Sequence, residues 1–290
     1  MNQKRCVIFI CDGKRISGGL SDRLRGISAV YQICKEMGLD FRIHFTHPFE
    51  LQRAFVPNLV DWRIDVEDIC DNPKDSMVFD YRVSRDYEYP AEVQRALIRE
   101  MLSKPFRQIH VFTNMDNTYM DGSYSELFHE LFKESDEMTQ YLAPHLDVLG
   151  DEYINVATRF CTSLGDLTDV QIAQELSEEQ RVELIDRCIA QIESIHSKYP
   201  DKKIFITSDS SRFIEATKGL DYTYSISGDR VNIDRDGTTD FDVLKNSVID
   251  FLLISKAQRV LQLKTDAMYG GFFSMSASFV NKIPFERVEF

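Results

Sequence analysis

The amino-acid sequence predicts an α/β protein built from two doubly wound, Rossmann-like domains. Three observations predict it. Apolar runs rich in β-branched residues alternate with stretches whose apolar residues recur every three to four positions, in both halves of the chain. A glycine-rich turn follows the first of those runs. The length, 290 residues, suits two compact α/β domains better than one or three.

The elements follow in order. Val7-Ile8-Phe9-Ile10-Cys11 is continuous and apolar, as a strand buried on both faces must be. Asp12-Gly13 and Ser17-Gly18-Gly19 break it. Leu20, Leu24, Ile27, Tyr31, Cys34 and Met37 then trace one helix face, which Gly38 stops. A second strand at residues 41–45 completes a βαβ unit. Pro48, Pro57 and Pro73 divide the next stretch into loops and short elements, with a strand near residues 77–83. A helix over 91–103, a strand over 108–113, a helix over 124–132 and a short helix before His145 finish the first domain. The boundary falls near Gly150, giving domains of 1–150 and 151–290.

The second domain opens on a strand over 153–160. Ser177-Glu178-Glu179-Gln180 is a capping box that starts a helix running to about Lys198. A strand over 203–207, a short helix to Lys218, a strand over 222–226, a helix over 241–257, a strand over 259–263 and a helix over 271–280 follow.

Composition excludes whole classes of function. A net charge of −13 opposes broad nucleic-acid binding, because a phosphate backbone demands a cationic face. A local arginine site can still hold one diphosphate. The six cysteines make no C-x-x-C pair and read as free thiols of a reducing compartment. The apolar run after the basic amino terminus is too short for a signal or a membrane span, so a cytoplasmic protein without direct membrane insertion is expected.

Four segments carry chemistry. Ser17-Gly18-Gly19-Leu20-Ser21-Asp22-Arg23 sets glycines, a carboxylate and a guanidinium at the start of a helix, where an anion or a sugar is favoured. It serves a ligand or is a tight turn with a solvated helix start. Arg159, with Phe160 beside it and Leu164-Gly165-Asp166 after it, stands at the carboxyl end of a strand. Ligands bind there in open α/β sheets, and a guanidinium suits phosphate oxygens. The alternative is an ordinary surface arginine. Thr207-Ser208-Asp209-Ser210 ends the next strand in hydroxyls and a carboxylate, so Asp209 either bonds a nucleoside or caps a helix. Thr265-Asp266-Ala267-Met268-Tyr269-Gly270-Gly271 is a second loop leading into a helix, again suited to a phosphate.

Gly18 to Gly26 resembles the glycine-rich opening of the GDP-fucose-using fucosyltransferases: the α-1,6, nodulation-factor and protein O-fucosyltransferases. Arg159 matches the diphosphate-binding arginine of their H-x-R-x-G-D motif, and Gly165-Asp166 resembles its G-D. Thr207-Ser208-Asp209 is similar to their T-D-D segment near the guanosine. Ser225-Ile226-Ser227 and Ile254-Ser255-Lys256-Ala257 resemble the segments that follow. The family histidine is Ala157 here, and the family's serine-rich phosphate loop corresponds to residues 265–274.

The resemblance implies a GT-B-like fold with an acceptor-binding amino-terminal domain and a donor-binding carboxyl-terminal domain. It implies inverting transfer of fucose from GDP-fucose to a glycan hydroxyl, with no metal cofactor. It places donor contacts at Gly18, Gly19, Arg23, Arg159, Phe160, Ser208, Asp209, Ser227, Thr265, Asp266 and Tyr269. Arg159 would stabilise the leaving diphosphate, and Asp22 or Asp166 would deprotonate or hold the acceptor. Three rivals stand beside it: another nucleotide-sugar donor on the same fold, a nucleotide- or glycan-binding protein without turnover, and a generic regulatory α/β module, which leaves the polar strand ends unexplained. Asp234-Arg235-Asp236 matches the D-x-D of metal-dependent transferases, but Gly237 after it reads as a turn. Trp62, the sole tryptophan, is a sugar platform or, more in keeping with its setting, a core anchor.

Overall fold

The computed structural model describes residues 5–15, 17–82, 89–166, 175–228 and 239–290. The Asp234-Arg235-Asp236 turn and Val83 lie outside them. The chain divides into two compact units, Met1–Met138 with Asn232–Leu244, and Thr139–Val231 with Lys245–Phe290. Residues 139–150 therefore pack with the second unit, and a short stretch from the second half of the chain packs with the first.

The chain runs β1 (Cys6–Cys11), α1 (Leu20–Met37), β2 (Asp40–Phe45), β3 (Phe55–Pro57), β4 (Ser76–Tyr81), α2 (Ala91–Leu102), β5 (Gln108–Thr113), α3 (Asn117–Met120), α4 (Tyr124–Leu131), β6 (Phe132–Glu134) and α5 (Asp136–Leu149). It continues with β7 (Tyr153–Thr158), α6 (Glu178–Lys198), β8 (Lys203–Ser208), α7 (Ser211–Thr217), β9 (Thr223–Tyr224), α8 (Phe241–Lys256), β10 (Arg259–Lys264), α9 (Phe273–Val280) and β11 (Phe285–Glu289). Among the described residues no helix is long and apolar enough to cross a membrane.

In the first unit a parallel sheet has the order β2-β1-β5-β4. Right-handed connections put α1 and α2 on the same face, where they pack on each other and on α3. Close approach on that face requires Gly26: a Cβ there would stand 2.1 Å from the Thr113 carbonyl oxygen. The other face, carrying Ile8, Ile10 and Phe112, is covered by Ile64 and Ile69 of an irregular segment. A doubly wound unit would carry a helix there. The connection from β2 to β4 crosses that face but holds three prolines and lacks the apolar period of a helix. It also forms β3, which pairs antiparallel with β6. Trp62 anchors this region: it is buried against Phe132, and its indole N–H donates to the Leu131 carbonyl at 2.7 Å.

The second unit holds a parallel sheet of order β11-β10-β7-β8-β9. From β7 the chain steps outward through β8 to β9; it then returns to lay β10 on the other side of β7 and steps outward again to β11. Right-handed connections therefore set α6 and α7 on one face and α8 and α9 on the other. The side chains agree. Ile154, Val156, Ile204, Ile206, Leu261 and Leu263 pack with Leu184, Cys188, Ile192 and Phe213 of α6 and α7. On the opposite face Tyr153 donates its hydroxyl to Leu253 of α8 at 2.6 Å, and Gln262 reaches Ser274 of α9. The order of strands reverses direction between β7 and β10, which makes the carboxyl ends of those two strands a topological switch point.

Candidate functional site

The switch point of the second unit brings together three segments that the sequence singles out separately: 159–166 after β7, 207–210 at the end of β8, and 265–271 after β10. Backbone geometry joins them. The Tyr269 N–H donates to the Arg159 carbonyl at 2.9 Å, and Ser163 donates its hydroxyl to the Ala267 carbonyl at 2.6 Å. Thr265, nearly buried, steadies its own turn: its Oγ1 accepts from the Ala267 N–H and its carbonyl from the Met268 N–H. Met268 is driven into the α6 core and anchors the loop from below. Asp266 is exposed.

Arg159 is half-buried at the mouth of this arrangement. Its guanidinium carbon lies 6.0 Å from the centre of the Tyr269 ring. Its stem crosses Gly271 so closely that a Cβ there would meet the Arg159 Cδ at 3.0 Å. Gly271 is itself fixed, because Gln262 donates to its carbonyl at 2.9 Å and is held in turn by Arg287.

Asp209 reaches back under the Arg159 loop. Its Oδ1 accepts from the Phe160 N–H and its Oδ2 from the Cys161 N–H, both at 2.8 Å. It is not the cap of α7: that role belongs to Ser210, whose hydroxyl accepts from the Phe213 N–H. Desolvation pushes the Asp209 carboxyl above its ordinary value, against the opposing pull of Arg159 and the two amides. Cys161 adopts a φ of 54°, the left-handed region that costs a side-chain-bearing residue about 1 kcal/mol or more. Asp166 stands at the start of α7, where its Oδ2 accepts from the Ser210 hydroxyl at 2.8 Å and the Arg212 N–H at 2.9 Å. Ser208 accepts from the Ser210 N–H, and Ser227 is exposed with its carbonyl 3.4 Å from the Asn246 side-chain amide.

The remaining predicted residues lie in the first unit, around the start of α1. Gly18 has a φ of 74°, and Gly19 is the N-cap, with its N–H donating to the Asp22 Oδ2 at 3.1 Å. The other Asp22 oxygen accepts from Arg25 at 2.6 Å. Arg23 is only 2% exposed. It donates to the carbonyls of Gly18 at 2.8 Å and His47 at 2.6 Å, and its guanidinium lies over the Phe45 ring. Asp22 and Arg23 thus build the turn.

Gly271, Ser163 and Cys161 lie in the segments that the sequence singles out but were not named as donor contacts, and Gln262 lies outside them; all four belong to the Arg159 constellation. The Gly270-Gly271 doublet was the available signal. What it makes room for is 112 positions away in the chain and emerges only when β7 and β10 pair. Among the described residues no group of His, Cys, Asp and Glu could hold a metal ion.

No protein-family model matches the chain, and no curated protein matches its sequence. Solved structures do match its fold. NodZ α-1,6-fucosyltransferase, soaked with GDP-fucose, aligns with a TM-score of 0.63 and 15% identity over 99% of this chain and 95% of that one. FUT1 of Arabidopsis thaliana, in complex with GDP, aligns at 0.58 and 10% identity over 99% and 70%. POFUT1 in complex with GDP-fucose aligns at 0.54 and 11% identity over 100% and 98%. At these identities the likeness is one of fold, and it leads to the same group of proteins that the sequence motifs resemble.

Proposed function

We propose that this chain is a glycosyltransferase of GT-B-like architecture that moves fucose from GDP-fucose to a glycan hydroxyl. The transfer proceeds with inversion and without a metal. The second unit takes the donor and the first the acceptor. One observation carries the reading: an arginine stands at the topological switch point on a loop that two other segments hold in shape. That is where an open α/β sheet presents ligands, and the three solved structures above hold GDP or GDP-fucose on the same fold.

As the acceptor oxygen attacks the sugar's anomeric carbon, the bond to the diphosphate breaks and negative charge grows on the departing phosphate. Arg159, held ready before the reaction, stabilises that charge without reorganising. Loop 265–271, leading into α9, supplies neutral donors near it. Ser208 and Ser227 border the nucleoside side, and Asp266 and Tyr269 the phosphate side. Asp22 or Asp166 takes the proton of the acceptor hydroxyl or holds the acceptor; Asp22 is steadied by the Gly19 N–H and Arg25, and Asp166 by the Ser210 hydroxyl and the Arg212 N–H. Six free thiols suit a cytoplasmic setting.

The test is a thermal-shift screen with GDP, UDP, CDP and their sugars. A nucleotide at 100-fold its Kd stabilises the protein by about 2.7 kcal/mol. GDP and GDP-fucose alone should raise Tm, and a selective response to UDP or CDP would redirect the donor assignment. Ala157 in place of the family histidine favours one second reading, nucleotide binding without turnover. GDP binding with neither donor hydrolysis nor transfer would establish it.

A further inference from the structure

We infer that Asp209 is a positioning residue for Arg159: its carboxylate grips the two amides that follow the arginine, and so fixes where the guanidinium meets a nucleoside diphosphate. The inference rests on the proposed donor-binding role of Arg159, and it replaces a direct contact between Asp209 and the nucleoside. Both carboxylate oxygens are engaged by protein, at 2.8 Å to the Phe160 N–H and 2.8 Å to the Cys161 N–H.

Three further observations support a clasp. The gripped turn contains Cys161 at a φ of 54°, a conformation that persists only where surroundings over-determine it. The turn is closed on its far side by the Ser163 N–H to the Phe160 carbonyl at 3.1 Å, so the two amides face the carboxylate as one rigid unit. The Arg159 carbonyl on the other side of the junction is pinned by the Tyr269 N–H. The backbone of Arg159 is therefore held from β8 through Asp209 and from β10 through Tyr269, while Gly271 leaves a channel for the stem. A guanidinium serves a phosphate only in a narrow geometry, because both parallel hydrogen bonds must form together. Asn in place of Asp presents an amide NH2 to one of the two N–H groups, donor against donor, and opens half of the clasp.

The experiment is a double-mutant cycle on GDP affinity, measured by calorimetry in the wild-type chain, Asp209→Asn, Arg159→Ala and the double variant. Asp209→Asn should weaken GDP about tenfold when Arg159 is present, the loss of one hydrogen bond to a charged group, and leave it unchanged in the Arg159→Ala background. Equal weakening in both backgrounds overturns the inference and makes Asp209 a direct nucleoside contact. Wild-type affinity in Asp209→Asn overturns it as well. A wild-type chain that binds no GDP counts against the donor role of Arg159, which is a separate failure.

Should Asp209→Asn not fold, the wild-type chain supplies a second readout. The amide resonances of Phe160 and Cys161 should move together as the Asp209 carboxyl titrates. Resonances that stay fixed through that titration remove the clasp.

Discussion

Each unit carries an arginine after its first strand, Arg159 directly at the end of β7 and Arg23 in the helix that follows β1, and the two have opposite fates. Arg23 sits in the first turn of α1, almost wholly buried, donating to two backbone carbonyls and stacking over Phe45. Arg159 stays half-buried, its loop fastened by other residues and its stem lying across a glycine. The sequence presents both as candidate phosphate ligands. The difference teaches that an arginine near a glycine-rich turn builds the turn when carbonyls enclose it, and stays at the mouth of a strand-end loop when neighbours hold its backbone instead.

The largest expected effect tests the second half of that contrast. Arg159→Lys should lower turnover by about 10²- to 10³-fold, because a lysine cannot reproduce the bidentate fork on a phosphate as charge develops. Its circular dichroism spectrum and Tm should match the wild type. A Lys variant with unchanged rate and GDP affinity would remove Arg159 from the site.

Arg23 should behave in the opposite sense. Arg23→Met leaves the Gly18 and His47 carbonyls, both half-buried, short of a charged donor, and should cost about 1–3 kcal/mol of stability in urea unfolding. GDP affinity per folded molecule should hold. A stable Arg23→Met chain that has lost GDP would merge the two arginines into one class and break the comparison.

Two glycines sharpen it. In Gly26→Ala the new methyl meets the Thr113 carbonyl, a backbone atom that cannot yield, and overpacking of this kind costs about 3 kcal/mol. In Gly271→Ala the methyl meets a flexible arginine stem, so stability should fall by less than about 1 kcal/mol while turnover drops. Comparing urea midpoints with transfer rates for the pair separates a packing glycine from one that shapes a site.

The smallest effect is a pH dependence confined to the first unit. Burial on β5 holds His110 below its usual value of 6.5, with its Nε2 3.1 Å from the Gln108 Oε1. The folded chain resists a proton that the unfolded chain accepts. Its contribution to stability is complete above pH 6.5 and is lost as pH falls from there through the lower folded value. Melting curves of His110→Gln should therefore decline less than wild type between pH 7.5 and 5. A parallel decline in both proteins would show that His110 does not carry this dependence.

Much of the fold was legible because its signals are local. The run at Val7 to Cys11, the period ending at Gly38 and the Ser177 capping box each appear as elements where the sequence reads them. Other elements, the four-residue α3 among them, were missed or read only in part. The β3–β6 pair is three residues a side, too short for alternation to show. α5 is longer than the short helix read before His145, because it runs on through Pro144 to Leu149. β11 (Phe285–Glu289) mixes charge into a sheet edge and has no apolar run. The site was half legible: hydroxyls, carboxylate, arginine and glycines were all visible, but not which served which.

By itself the sequence determined the alternation of strands and helices, the glycine-rich loops at strand ends and a charge hostile to nucleic acid, since propensity, period and net charge are properties of neighbouring residues or of their sum. Tertiary structure alone decided the rest. The order of strands sets the ends of β8, β7 and β10 side by side, and only that adjacency lets Asp209 grip the amides after Arg159 and Gly271 clear its stem; in the first unit the tertiary structure likewise covers one face of the sheet with irregular chain rather than a helix. Such contacts join residues tens of positions apart in sequence. Their energies depend on ångström distances that no local pattern encodes.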